Sequence, residues 1–159
     1  ENSGAGLLVT SCPICYKTFR EEYRLNLKVM HHTEYLNDLI RNKLITPHQS
    51  ELKTVFHNPC ELGRGCGVYA APDQVLQTVS HKLATVYDGN SLCCGGSLAN
   101  IHIDPGQRTR ISSDAVKAYL SYQPDLLVTA CPLCKKTFMK TDTAVPIKDI
   151  AEVVAENCR

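Results

Sequence analysis

Two adjacent cysteines followed by two glycines, Cys93-Cys94-Gly95-Gly96, constrain this chain more than any other stretch. Neighbouring thiols oxidise readily, and a Gly-Gly pair gives up much backbone entropy on ordering. A compensating interaction is expected at this point. Cys60 lies upstream and Cys131-Pro132-Leu133-Cys134 downstream, so the pattern reads C-x32-C-C-G-G-x34-C-x-x-C. Five thiols from three places in the chain would meet if the fold brings those loops together. That is what a metal or iron–sulfur site requires, because thiolates surround the iron and fix the cluster.

Bulk properties narrow the class. A chain of 159 residues can bury a sizeable core. Its 43% hydrophobic and 21% charged residues are ordinary for a globular protein. A net charge of +1 offers no basic field for nucleic acid. No run of about 18 apolar residues suggests a membrane span. Nine cysteines raise the alternative of a secreted disulfide scaffold. The regular apolar runs, and CxxC pairs that follow strands, favour thiolate ligands in a reducing, cytoplasmic compartment. Peripheral attachment to a membrane complex through partners is compatible with that. The chain opens on Glu1 with a strand-like run close behind. It reads as a piece of a longer polypeptide or as a processed chain.

Apolar runs alternate with helical patterns. Strands are expected at Gly6–Thr10, Leu27–His31, Lys53–His57, Ala84–Tyr87, Asp125–Thr129 and Ala144–Ile147. Helices are expected at Pro13–Tyr23, Thr33–Leu44 with Thr33 as cap, Pro72–Leu83, Gln107–Tyr122 and Ile147–Glu156, with a loop over Asn58–Gly67. Alternation with unbroken apolar strands predicts an α/β fold: a mostly parallel, Rossmann-like sheet with helices on both faces. Ligand sites in such sheets form beyond the carboxyl ends of the strands, where Cys60, Cys93 and Cys131 fall.

The segment from Leu7 to Phe19 recurs from Leu126 to Phe138, at an offset of roughly 120 positions. A partial internal duplication is expected, with 1–48 the C-terminal remnant of one copy and 49–159 a complete second copy, packed together as one unit. Cys12 and Cys15 would be the remnant of the first copy's site.

In each CPxC turn the proline suits the first helical position. The two thiols then sit at a helix N-terminus, whose free amides and dipole favour negative sulfur. A thioredoxin-like redox pair is the competing interpretation. Adjacent thiols are hard to place on one tetrahedral ion and suit a larger cluster. Gly95 and Gly96 would let backbone approach it and donate amides to sulfur. Arg64 could balance thiolate charge or hold an anionic substrate. Cys66 and Cys158 match no ligand spacing and read as structural thiols. His31, His32 and His57 read as hydrogen-bonded core or rim residues.

The segments NPCELGRG, CCGGS and TACPLCKKTF resemble the cysteine-rich CCG domain. That domain occurs, usually in two copies, in heterodisulfide reductase catalytic subunits. It also occurs in iron–sulfur subunits linked to glycolate, lactate and glycerol-3-phosphate oxidation. The resemblance covers a full copy from about Lys53 and the end of one before it. It implies that Cys60, Cys93, Cys94, Cys131 and Cys134 hold a non-cubane [4Fe–4S] cluster. It also implies an oxidoreductase in the intact protein, with this piece alone inactive. Some relatives carry zinc in one copy, so zinc or an empty site are alternatives here. Glu61 stands where many relatives have His. The implied partners are an electron-transfer subunit or ferredoxin-like domain and a small-molecule substrate. Two rival functions stay open: electron relay for a 2-hydroxy acid oxidase, and a zinc-stabilised assembly domain.

Overall fold

The computed structural model describes residues 3–85, 91–97 and 100–158. Among the described residues, six strands, six helices and one π-helical turn alternate. β1 (Leu7–Thr10) and β2 (Lys28–His31) form a two-stranded parallel sheet, linked by α1 (Pro13–Glu21) and followed by α2 (His32–Arg41). The remaining strands are β3 (Ser50–His57), β4 (Ser80–Thr85), β5 (Leu126–Thr129) and β6 (Ile147–Asp149). They form a second sheet in the order β4-β3-β5-β6, parallel throughout. Its helices are α3 (Ala70–Val79), α4 (Pro105–Leu120), α5 (Pro132–Phe138) and α6 (Ile150–Asn157). The α/β class with parallel pairing is therefore as expected. One expected sheet is instead two.

Helices cover both faces of the larger sheet. Leu126 and Val128 of β5 pack beneath Val75, Leu76 and Val79 of α3 and Ile150, Val153 and Val154 of α6. Leu127 and Val55 face the other way, against Ala115, Val116 and Tyr119 of α4 and Phe138 of α5. All four residues of β5 are buried, which is why its sequence shows no alternation. β1 carries the same LLVT sequence with Leu7 37% and Val9 40% exposed. The expectation of burial on both faces fails there. Leu36 and Ile40 of α2 pack on the α3–α6 core, joining the first 48 residues to the larger sheet.

Several boundaries differ from the sequence reading. α2 is capped by His31 rather than Thr33. The Nδ1 of His31 accepts from the Thr33 amide, and Glu34 accepts from the His31 amide in a capping box. α3 ends at Val79 and Ser80 opens β4, so Leu83 is a strand residue. The expected strand at Ala84–Tyr87 begins earlier, and Val86 and Tyr87 lie outside the described residues. β6 and α6 each begin three residues later than expected. Asp149 caps α6 with Glu152 completing the box, and this fixes the break between strand and helix. The expected loop at Asn58–Gly67 contains the π-helical turn Glu61–Gly65. Among the described residues, no helix is long and apolar enough to cross a membrane.

Candidate functional site

β3 and β5 are neighbours, with His57 opposite Thr129 at their carboxyl ends. Cys60 and Cys131 therefore leave the sheet side by side. Below them His57 is fully buried. Its Nε2 lies 3.0 Å from the Leu92 carbonyl and its Nδ1 2.9 Å from the Thr129 hydroxyl. A carbonyl only accepts, so Nε2 carries the proton and Nδ1 accepts from Thr129. The ring stands edge-on to Phe138 at 4.8 Å and to Tyr119 at 5.8 Å. Burial lowers its pKa to about 4, so the ring is neutral. His57 thus fastens the residue before Cys93 to both strands. Arg64 adds a second fastening, donating to the Ser91 carbonyl at 2.5 Å.

The two glycines answer to helix packing. Gly95 has φ +76°, and a Cβ there would lie 2.6 Å from the Arg108 carbonyl of α4. A Cβ on Gly96 would collide with the Thr137 hydroxyl of α5. On the side where a Cβ would stand, the close approach is made by two helices. Their amides do turn to sulfur: Gly95 donates to Cys93 at 3.3 Å and Gly96 to Cys94 at 3.4 Å. Asn100 donates to Cys93 at 3.6 Å, and Arg108 Nε donates to the Gly95 carbonyl at 3.0 Å. Sequence reasoning missed Asn100 and Arg108. Neither belongs to a motif, and only the folded loop brings Asn100 to sulfur and Arg108 to the Gly95 carbonyl.

All nine cysteines are unpaired thiols. Four of the five expected site cysteines, Cys60, Cys94, Cys131 and Cys134, line one cavity, and the thiols influence one another's protonation, Cys60 with Cys93 and Cys134 with Cys94 and Cys131. The Cys60 thiol donates to Cys93. Together with the Gly95 amide, Asn100 and nearby Arg64, this holds Cys93 down at about 5 against the opposing effect of burial. Donation to Cys93, then burial, drives Cys60 upward. Cys134 is likewise raised, by sharing its proton with Cys131 and Cys94. Cys94 is lowered, chiefly by Cys134. Cys131 is lowered to about 7, first by Cys134. The Leu133 and Cys134 amides at the start of α5 also favour its thiolate, without closing a cap hydrogen bond.

Cys60, Cys94, Cys131 and Cys134 line one cavity of about 40 Å³, closed on another side by Cys12, Pro13 and Ile14. Among the described residues no three Cys, His, Asp or Glu side chains converge as they would on a single ion. The donor set suits a multi-iron cluster better than one zinc: all sulfur, from three segments, with backbone and side-chain donors already on two of the sulfurs. Metal binding would displace the protons that these thiols hold.

Cys12 caps α1 and accepts from the Cys15 amide at 3.4 Å. Cys15 is exposed, and its hydrogen bond with Cys12 raises its pKa. Of the two, only Cys12 reaches the cavity. Cys66 is half-buried and raised by that burial, whereas Cys158 is exposed rather than a packed structural thiol. His31 is fully buried, and its Nε2 lies 3.3 Å from the Ser11 carbonyl. His32 lies 3.1 Å from Asp149, a contact that joins the β2–α2 corner to the β6–α6 corner.

Comparison with known proteins gives this arrangement a family. The cysteine-rich domain model named CCG matches residues 54–139. The chain is 31% identical to one subunit of the dihydromethanophenazine:CoB–CoM heterodisulfide reductase of Methanosarcina mazei, over 98% of this chain and 42% of that protein. It is 26% identical to the EtfAB:quinone oxidoreductase of Syntrophomonas wolfei, over 96% of this chain and 24% of that protein. It is 25% identical to the probable iron–sulfur-binding oxidoreductase FadF of Bacillus subtilis, over 99% of this chain and 24% of that protein. The chain thus spans well under half the length of these relatives. Because the family pattern covers more than half of its residues and takes in the cysteine loop and second CPxC turn described above, the chain belongs to the CCG cysteine-rich domain family.

Proposed function

We propose that this chain is an iron–sulfur electron-transfer module of an oxidoreductase related to heterodisulfide reductase. In this reading Cys60, Cys93, Cys94, Cys131 and Cys134 hold a [4Fe–4S] cluster of the non-cubane kind. One observation carries it. Cys60, Cys94 and the Cys131–Cys134 turn, from three distant segments, line one cavity beyond the carboxyl end of one parallel sheet, with Cys93 next to Cys94 in the chain. The names of its relatives, heterodisulfide reductase and iron–sulfur-binding oxidoreductase among them, support the same reading. The bound cluster would supply one-electron transfer.

The protein's own part is to hold and tune the site. His57 and Arg64 fix the approach to Cys93. The Gly95 and Gly96 amides and Asn100 stabilise negative sulfur. Cys12, Pro13 and Ile14 exclude water from one side. Residues 1–48 repeat the β5–α5–β6–α6 run and would be the end of a first copy. Electrons would come from a partner subunit or a ferredoxin-like domain. Whether they go on to a disulfide substrate or are relayed from a 2-hydroxy acid oxidase divides the enzyme class. Zinc in an assembly role is the weaker reading, because tetrahedral zinc takes four ligands and five cysteines are spaced for the site.

Anaerobic reconstitution with iron and sulfide tests this directly. Iron and acid-labile sulfide should bind in equal amounts, with a paramagnetic signal in one oxidation state. Stoichiometric zinc with no sulfide uptake would refute the proposal.

A further inference from the structure

α4, α5 and the glycine pair enclose a second concavity, an open groove of about 350 Å³ that shares only Leu133 with the thiol cavity. Its lining brings together Arg108, Lys136 and Lys140, and among the described residues no Asp or Glu lines it. Lys136 and Lys140 are exposed and make no ion pair among the described residues. Arg108 is held by its Nε on the Gly95 carbonyl, and its two terminal guanidinium nitrogens have no hydrogen-bond partner among the described residues. Three cations facing one groove repel one another unless an anion joins them.

A second observation points to a ligand. Ser112 lines the groove, is 2% exposed, and its hydroxyl has no hydrogen-bond partner among the described residues. A serine inside a helix ordinarily donates to the carbonyl one turn back. Thr109 and Thr137 beside it do so, to Pro105 and Leu133. Ser112 does not, and a buried hydroxyl left unpaired costs stability unless something completes it. Leu133 and Pro105 add apolar surface to the lining. The volume falls in the range of small-molecule sites rather than that of a lone ion.

We propose that this groove binds a small organic molecule by a phosphate-type anionic head. Arg108, Lys136 and Lys140 neutralise the head, and Ser112 donates to it. The organic body lies on Leu133 and Pro105. This site is separate from the thiol cavity and stands whether or not the iron–sulfur reading does. Arg108 touches both the groove and Gly95, so occupancy reaches the loop that carries Cys93 and Cys94.

The test is a titration of the full chain followed by amide chemical shifts, with inorganic phosphate and butyl phosphate each compared with chloride at matched ionic strength. Saturable shifts at Gly95, Gly96 and Thr137 are expected, with butyl phosphate several-fold tighter. The double variant Lys136→Gln/Lys140→Gln changes only exposed positions, so it should fold and bind at least about tenfold more weakly. Ser112→Ala should bind several-fold more weakly. Lys117→Gln, an exposed lysine near the other end of α4, should bind as wild type does. Non-saturating shifts, or binding indifferent to the double lysine variant, would overturn the site. Full affinity in Ser112→Ala would remove Ser112 from it. Equal affinity for the two phosphates would overturn the organic ligand in favour of an adventitious ion.

Discussion

The segments Leu7–Phe19 and Leu126–Phe138 have nearly the same sequence and the same strand–CPxC–helix path, yet they are chemically unlike. In the second, both cysteines are buried, Cys131 is lowered to about 7 and Cys134 is raised by sharing its proton. In the first, Cys15 is exposed and Cys12 only half-buried. Leu126 and Val128 are sealed beneath helices, whereas Leu7 and Val9 meet solvent. The CPxC motif therefore does not set its own electrostatics. The Cys93–Gly96 loop, α4 and the neighbouring strand do so, and only the second segment has them.

The largest expected effect is on iron. Reconstituted protein should take up about one cluster's worth of iron. Cys94→Ser should lose nearly all of it and Cys12→Ser almost none, as measured by iron and sulfide analysis. Equal losses would mean that the two turns share one site on equal terms, which Cys12's position on the cavity wall makes worth testing.

Next comes the aromatic residue that closes each segment. Phe138 is fully buried against His57 and Tyr119, while Phe19 is half-buried and stacks on Tyr23. Phe138→Ala should cost about 3–5 kcal/mol and Phe19→Ala about 1, read from urea denaturation midpoints. Similar costs would show that the first segment is as well packed as the second.

A buried histidine sits under each segment, and burial lowers both, His57 to about 4 and His31 to about 3. The unfolded chain takes up these protons near 6.5, before the folded one does. Stability should hold above that pH and fall as pH drops from there towards 4. Each histidine removes up to roughly 3 kcal/mol over the fall. Denaturation at pH 7.5, 6 and 5 checks this, and His57→Gln or His31→Gln should each flatten the slope. A wild-type stability unchanged between pH 7 and 5 would contradict the neutral assignment.

The smallest effect concerns the matched capping boxes of α2 and α6. Glu34→Ala and Glu152→Ala should each cost about 1 kcal/mol. Glu152 should cost more, because it also accepts from Lys135 at 2.6 Å. A thermal melt that ranks them the other way would separate the two corners energetically.

Much of this was readable in advance. β5 stands out as an unbroken apolar run, and the cysteine spacing places Cys60, Cys93, Cys94, Cys131 and Cys134 on one edge of a parallel sheet. The α3–β4 boundary was not readable. Leu76, Val79 and Leu83 keep helical spacing across it, and no Gly or Pro marks the break. At β6 the signal existed: Asp149 followed three residues later by Glu152 is a capping box, and it outranks the apolar run that suggested an earlier strand. In the site the sulfurs were legible and their supports were not. Asn100, Arg108 and the Leu92 carbonyl matter only because a distant element turns them inward. The glycine pair was legible as a constraint, and the approach of α4 and α5 is a cause the sequence did not announce.

The His57 contacts also bear on timing. His57 bonds to a residue 72 positions away and to a carbonyl 35 positions away. Contacts of that separation form late, since long loops must close before any of them is rewarded. A chain emerging from the ribosome would expose isolated CPxC pairs long before the thiols from all three segments stand together. Premature iron or zinc would find only two-sulfur chelates, and the full site would exist only after the parallel sheet has closed. Cluster delivery to this chain should therefore follow folding, and a slow folder would be a slow acceptor.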